Sequence, residues 1–580
     1  MEQRNLILAI VLSLAILITF QILFAAPPPP ATDADPGIAA RQDIGIAAPK
    51  APAAELVGGV PGEPGITLTA LDRNEALAET DRITIDSPRL WGSLSLTGAK
   101  FDDLWLRDYR ETQEEDSPQV LLLSPSGAPG PYYAEFGWVA EQDSDVVVPG
   151  PDAEWSASGG PLAPDSPVIL TWDNGAGLKF VQIVTIDDDF MFTVTQRVES
   201  SNSKAVTLFP YARILRTGTP DTLGFFVLHE GLLGVFEGTL TELSYGDVRD
   251  DGQITERSST GGWIGITDKY WLVALVPDQT HPFNAGFRHR VTTDDQYQAD
   301  FLRAGVEIKP NRSGEVTNRL FAGAKEVEIL ERYNNSLGIV RFDLTIDWGW
   351  LFFLTKPIFL AIDFLYRWTG NFGVAIIVFT LFVRILFFPL ANKSFRSFGA
   401  MRKVQPEVTR IRETYKDDRE RITKEMMELY KREKVNPLSG CMPLILQIPV
   451  FFALYKVLFV TIEMRHAPFI GWIQDLSAPD PTTMFNLFGL IPWDPPSFLN
   501  IGIWPLMMGI SMYVQQKLNP APPDPMQAKI FMMLPIIFTV ILAGFPAGLV
   551  IYWTVNNVLS MAQQWVIMRR VASAPTTSKS

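Results

Sequence analysis

The chain has 580 residues, 47% of them hydrophobic and 19% charged, with a net charge of −15, and that length gives room for two or more domains. The acid excess is confined to one half: residues 26–340 hold 24 Lys+Arg against 47 Asp+Glu, while the remainder is net basic and carries long apolar runs. A single soluble globule is thereby excluded, and a soluble domain joined to a membrane domain is implied.

In chain order, Met1-Glu-Gln-Arg-Asn5 precedes an apolar run from Leu6 to Ala26. The run is longer than the roughly 7–15-residue core of a signal peptide and lacks a clean small-x-small site before Pro27. Residues 1–26 therefore read as an uncleaved transmembrane anchor, with Arg4 at its cytoplasmic end. Residues 27–70 are rich in Pro, Ala, Gly and Asp; they cannot bury enough apolar area to fold and read as a flexible linker.

Residues 71–341 alternate short runs of Thr, Val, Ile and aromatics with Gly, Asp, Asn and Pro. Strands are predicted at Arg82–Asp86, Leu178–Ile186, Phe190–Val198 and Tyr270–Val276. So many short strands predict a large all-β sandwich, and the lack of a repeat argues against a propeller. Asp187-Asp-Asp189 reads as the turn of a hairpin rather than a cation or glycosidase site. A sugar epimerase would need a His/Glu pair in a pocket, whereas His229 and Glu230 are adjacent on a strand-like run and point to opposite faces.

Residues 342–370 carry Asp343, Asp347, Lys356, Asp363 and Arg367 among Trp348, Trp350, Phe353 and Trp368. The charges are too frequent for a span, and the aromatic face predicts an amphipathic helix lying in the membrane interface.

The run Val374–Leu390 contains Arg384. A guanidinium cannot be deprotonated in a protein, and placing it at the centre of a membrane helix costs about 2.5–3.5 kcal/mol on insertion scales. Either it snorkels toward Lys393, roughly 13 Å along a helix, or it lines a polar cavity. Four more apolar segments follow, at Pro443–Val460, Ile501–Val514, Ile530–Gly544 and Ala547–Trp565. Between the first two runs, Asn392–Lys434 holds 13 Lys+Arg and is assigned to the cytoplasm by the positive-inside rule. Alternation then puts both termini inside and the β domain outside, with a five-span core at 371–570 and a cytoplasmic tail at 571–580. Met401, Val404, Val408 and Ile411, then Ile422, Met426, Leu429 and Tyr430, recur at helical spacing around Lys416–Arg419. They predict a helical hairpin within 392–436; its basic surface reads by default as a solvated charged face, with membrane-surface or ribosome binding as the alternative. Several spans are shorter than the roughly 20 residues a bilayer asks for, which implies local thinning. Thr380, Gln447, Gln515, Gln516, Thr554, Asn556, Asn557, Gln563 and Gln564 are seeded among them; interhelical hydrogen bonding is the ordinary explanation of such residues, and it is taken for Gln563 and Gln564 near the end of a span. Cys441, the one cysteine, rules out an intrachain disulfide and reads as a buried thiol. No Walker loop, dinucleotide fingerprint, nucleophile elbow or zinc motif is present. Neither cofactor nor metal is expected.

Across the second half stand Val383-Arg384, Pro389-Leu390, Gln405-Pro406, Glu433-Lys-Val-Asn-Pro-Leu438, Gly440-Cys-Met-Pro443, Gln447-Ile-Pro449, Arg465-His-Ala-Pro-Phe469, Asp524-Pro-Met-Gln527 and Phe545-Pro-Ala-Gly-Leu549. On these motifs Asp343–Arg570 closely resembles the YidC family of membrane protein insertases. The anchor and external domain resemble its Gram-negative form, whose periplasmic domain is similar to a galactose-mutarotase-like β super-sandwich. The resemblance implies an all-α five-helix transmembrane core enclosing a hydrophilic groove, open to the cytoplasm and lipid and closed to the outside. Arg384 would receive an acidic or polar tail of the nascent chain there, with Thr380, Gln447, Tyr552 and Trp553 as the other groove residues. Implied partners are nascent membrane protein clients, the Sec translocon, the ribosome through cytoplasmic loops and tail, and membrane lipids; no nucleic-acid sequence recognition is expected. The implied location is the bacterial inner membrane. No bond is made or broken, so no enzyme is expected. An insert-like outer loop around 480–500 departs from the family pattern and suggests no function. The alternative is a channel or transporter with an intramembrane arginine, but no inverted repeat or ring of charges is visible, and one asymmetric arginine suits a one-sided groove better.

Overall fold

The computed structural model describes residues 71–572 apart from 115, 143, 223–227, 252–254, 416–417, 434–441, 487–490, 492–499 and 520–524, together with 56–57 and 60–61. The anchor at 1–26, most of the linker, Cys441, Asp524, more than half of the outer loop around 480–500 and most of the tail lie outside the described residues. Within the expected linker, Leu56–Val57 and Val60–Pro61 pair as short antiparallel strands with Val57 opposite Val60, so residues 27–70 are not wholly unstructured. The sequence between them is Gly58-Gly59, a dipeptide that favours such pairing.

Two antiparallel sheets form the β domain. One has nine strands, running Thr239–Ser244, Gly231–Phe236, Gly262–Thr267, Trp271–Val276, Ser313–Ala324, Met191–Ser200, Leu178–Ile186, Val168–Asp173 and Ser156–Ser158. The other is built on Thr255–Thr260, Pro282–Val291, Asp295–Arg303, Val206–Thr217, Tyr132–Ala140, Phe101–Arg110, Leu90–Ser95 and Arg82–Asp86. Their apolar faces meet: Phe192 of the first sheet packs edge-on against Phe101 of the second at 5.2 Å. Buried Gln182 and Gln196 cross the interface and donate to the carbonyls of Phe136 and Gly137, each at 2.8 Å. The predicted hairpin is present, with Ile186 opposite Phe192, and the Asp187 carboxylate accepts from the amides of Asp189 and Met191 at 3.0 Å. His229 and Glu230 precede the strand Gly231–Phe236 rather than lying on one, because the positive φ of Gly231 breaks the run there.

The helical half begins with α1 (Val327–Ser336) and a 3-10 turn at Phe342–Thr345. Phe342 is buried against Phe321 at 5.4 Å and Trp263 at 5.6 Å, so it belongs to the β core, and the stretch 342–351 is not part of the helix expected over 342–370. That helix, α2, spans Phe352–Thr369. Then follow α3 (Phe372–Leu386), α4 (Phe388–Thr414), α5 (Arg419–Arg432), α6 (Met442–Val460), α7 (Ile503–Leu518), α8 (Pro525–Leu542) and α9 (Ala547–Ala572). Pro389 sits in the first turn of α4, where a missing N–H is tolerated, and α3 and α4 meet at a 67° bend. Helices α4 and α5 pair through Val404, Val408, Leu429 and Tyr430, with Met401, Ile411 and Met426 packed against them. Among the described residues no single helix is long and apolar enough to cross a membrane; α3 and α4 together are, as a bent pair. The five separate spans expected from the apolar runs are therefore not shown.

The two halves meet through polar contacts. Asp347 Oδ2 accepts from Lys456 Nζ at 2.7 Å and from the His229 amide at 3.2 Å. Arg465 Nη2 donates to the carbonyls of Arg110 and Glu111 at 2.6 and 3.1 Å. Glu463 Oε1 accepts the Val327 amide at 2.9 Å, supplying the cap that Glu326 does not give to α1. Burial pushes the Glu463 carboxyl up to about 7; the Val327 hydrogen bond opposes this, and the charges of Glu326 and Asp363 add to it. The folded state thus holds this proton to higher pH than the unfolded chain, whose ordinary value is 4.5. Stability from this group is full below pH 4.5 and is lost as pH rises through 7, by about 3 kcal/mol at most. Thermal unfolding in detergent should therefore occur at lower temperature at pH 8.5 than at pH 5.5. Glu463→Gln, which keeps an acceptor but cannot ionise, should narrow that difference; an unchanged difference refutes the assignment.

Candidate functional site

Arg384 is drawn inward by the way α3 packs. Asn371 caps α3 by accepting the Val374 amide at 3.0 Å and ties its start down by donating to the Phe469 carbonyl at 2.9 Å. The face so fixed buries Phe372, Ala375, Ile376, Phe379 and Thr380. One turn beyond Thr380, Arg384 Nε donates to Asn556 Oδ1 at 2.7 Å, and Nη2 donates to the Asn556 carbonyl at 3.2 Å and to Gln447 Oε1 at 3.4 Å. The guanidinium lies between α6 and α9 instead of reaching along the chain to Lys393. Hydrogen bonds to a charged group are worth about 1.5–3 kcal/mol each, so the two shorter ones offset the insertion cost of about 2.5–3.5 kcal/mol.

Around the guanidinium is a recess walled by Val383, Phe387, Leu390 and Val450 on the apolar side and by Gln447, Tyr552 and Asn556 on the polar side. It leaves about 30 Å³ accessible to water, above the ~10–15 Å³ that one molecule needs. Among the described residues its lining includes no carboxylate.

Of the groove residues expected with Arg384, the structure brings Gln447 and Tyr552 to this recess and leaves two outside it. Thr380 is buried, but its hydroxyl donates to the Ile376 carbonyl at 2.6 Å within its own helix. Trp553 packs edge-on against Phe451 at 4.6 Å and lies 5.6 Å from Phe538. Successive helical residues point about 100° apart, so Tyr552 and Trp553 cannot both face Arg384. Asn556, one of the polar residues seeded in the apolar runs but not among the expected groove residues, makes the shortest bond to the arginine. The usable signal was spacing: it follows Tyr552 by four residues and shares its face. Asn557 does fill the ordinary role, donating to Ser511 Oγ at 2.9 Å. Among the described residues no group of three or more His, Cys, Asp or Glu side chains is placed to hold a metal.

Residues 82–361 match the family described as the YidC periplasmic domain, and residues 364–574 match that described as the 60Kd inner membrane protein. Membrane protein insertase YidC of Methylorubrum extorquens (strain PA1) is 48% identical over 98% of this chain and 95% of its own length. The protein of the same name from Granulibacter bethesdensis is 49% identical over 98% of each chain. Among solved structures, an active YidC insertase crystal structure with the first transmembrane domain resolved covers 83% of this chain and 91% of its own, at 17% identity and a TM-score of 0.36. That structural likeness is slight; the sequence matches span nearly the whole chain. By those matches, the chain belongs to the YidC family of membrane protein insertases.

Proposed function

We propose that this chain inserts nascent membrane proteins into the bacterial inner membrane, and that Arg384 receives the polar or acidic tail of each client in a groove open to the cytoplasm. The observation that carries this reading is a part-buried guanidinium turned into a recess large enough for water, where its hydrogen-bond acceptors are all neutral. A positive charge in such a setting attracts a client carboxylate far more strongly than it would in water.

The surrounding helices support a membrane setting. Phe531, Met532, Ile536 and Ile541 of α8 are exposed, an apolar surface that a soluble protein rarely shows. On α2, Phe353, Leu360, Phe364 and Trp368 are exposed along one side, while Lys356 pairs with Glu331 and Arg367 with Glu328, both at 2.8 Å. That arrangement suits a helix lying flat at the interface. In this reading α3, α6, α7, α8 and α9 cross the bilayer, residues 1–26 anchor the chain, the β domain is periplasmic and both termini are cytoplasmic. The basic α4–α5 hairpin is offered to the ribosome, and the Sec translocon is a further partner.

No nucleotide motif is present, so the driving force is burial of client side chains in lipid, about 25 cal/mol per Å² of apolar area. The groove lowers the barrier for the tail, whose unsatisfied polar groups each cost several kcal/mol in hydrocarbon. The test is a series of single-span clients with one fixed tail and graded span hydrophobicity, offered without ATP to liposomes holding the purified protein. Yield should rise with apolar area and fall as charges are added to the tail. A strict ATP requirement, or indifference to span hydrophobicity, overturns the mechanism.

A further inference from the structure

The acceptors around Arg384 are amides and a backbone carbonyl, and Asn556 supplies two of the three: its side-chain oxygen holds Nε at 2.7 Å and its carbonyl holds Nη2 at 3.2 Å. A guanidinium has only donors, so the Asn556 amide must present its oxygen to Arg384 and turn its NH₂ away. That NH₂ is buried and has no partner among the described residues, although the residue lines the recess. The two bonds from Asn556 occupy one side of the guanidinium. Among the described residues Nη1 has no hydrogen-bond partner, and the bond from Nη2 to Gln447 Oε1 is a long 3.4 Å, so the Nη1–Nη2 edge, one of those that can take a carboxylate bidentately, is the less engaged one.

A carboxylate at position 556 would have nearly the same shape and would accept from Nε more strongly. It would also cancel the arginine's charge. An asparagine there fixes the side chain without neutralising it.

We propose that Asn556 is the positioning and specificity residue of the recess: its oxygen aims the Arg384 fork while its neutrality leaves the positive charge for an acidic segment of the client. This rests on the groove reading above and adds to it the residue that sets tail preference.

The discriminating variant is Asn556→Asp in the full-length protein in liposomes. The probes are two single-span clients identical except for two Asp or two Asn residues in the translocated tail. The acidic-tailed client should insert at least tenfold more slowly than with the unsubstituted protein, and the neutral-tailed one within about threefold, with thermal stability undiminished. A purely structural Asn556 gives no such discrimination, because Asp preserves the bond to Nε and would leave both clients equally affected. Asn556→Ala removes the side-chain acceptor without adding charge. It should slow the acidic-tailed client several-fold, less than Asn556→Asp does, and leave the neutral-tailed one nearly unchanged, and it decides the matter if Asn556→Asp fails to accumulate: an acidic-tailed client inserted at the unsubstituted rate by the Ala variant overturns the proposal. Arg384→Ala, run alongside, separates the two levels. If it inserts the acidic-tailed client normally, the groove reading itself falls. If it loses that client while Asn556→Asp keeps it, only the role of Asn556 falls.

Discussion

Arg384→Ala is expected to slow insertion of acidic-tailed clients by about 10–100-fold, with little change for clients whose tails carry no charge. Two unit charges 4 Å apart interact by about 4 kcal/mol at an effective dielectric of 20. A recess that admits water retains a fraction of this, and each 1.4 kcal/mol is a factor of ten. The loss should not come from unfolding. Removing Arg384 leaves behind the Asn556 and Gln447 amides, neutral groups that water in the recess can satisfy, and takes away a charge that was costly to place. Arg384→Lys keeps the monopole but not the fork. One ammonium cannot reach Asn556 Oδ1, the Asn556 carbonyl and Gln447 in the same planar arrangement, so insertion of acidic tails should survive at a several-fold reduced rate. Initial rates in liposomes, with melting temperature measured on the same preparations, make the comparison. Full activity of the Ala variant on charged tails returns Arg384 to a packing role.

Much of this arrangement was legible in the residues, and the misses have physical causes. Strand Arg82–Asp86 and hairpin strand Leu178–Ile186 were predicted with the observed ends, because period-two patterning is local and turn residues close it. The α4–α5 seam was legible for the same reason: Val404, Val408 and Leu429 recur on one face, and Asp418 caps α5 by accepting the Arg421 amide at 3.0 Å. What periodicity cannot convey is rotation of a helix about its own axis. Tyr552 and Trp553 were indistinguishable as apolar aromatics, and only the packing of Trp553 on Phe451 shows which one turns from Arg384. Thr380 failed differently. A threonine inside a helix can bond its hydroxyl to the carbonyl four residues back, and spacing from Arg384 says nothing about that choice. The start of α2 was misplaced because Asp343 and Asp347 look like polar interruptions of a helix. They lie in a turn and its exit, and Asp347 is held there by Lys456 from α6, a partner more than a hundred residues away.

That long-range stitching also decides how the β domain can be removed. Deleting residues 72–240 would leave insertion of small clients intact only if what remains can fold, and the sheet order says it cannot. Both sheets draw strands from either side of residue 240. Asp295–Arg303 would lose its neighbour Val206–Thr217, and Ser313–Ala324 would lose Met191–Ser200. Two long unpaired edges would then stand open beside Phe283, Phe287, Phe301 and Phe321, all buried in the intact chain, which is a template for aggregation. The 72–240 deletion is therefore expected to accumulate at a small fraction of the normal level, whatever the domain contributes to insertion. Removing 82–324 takes out both sheets as a unit and keeps α1, the 3-10 turn and α2. Tyr333 and Phe342, which pack on Phe321, would need polar replacements such as Tyr333→Asn and Phe342→Asn. That protein should reach the membrane and insert a short client within about twofold of the full chain, since no residue of the sandwich lines the Arg384 recess. Taking α2 away as well should abolish insertion: Ile358, Phe359 and Ile362 are buried on the side where α2 packs against α3 and α6, and α3 and α6 carry Arg384 and Gln447. Should the 82–324 deletion fold, reach the membrane and still fail on short clients, the sandwich acts in insertion itself and not only beside it.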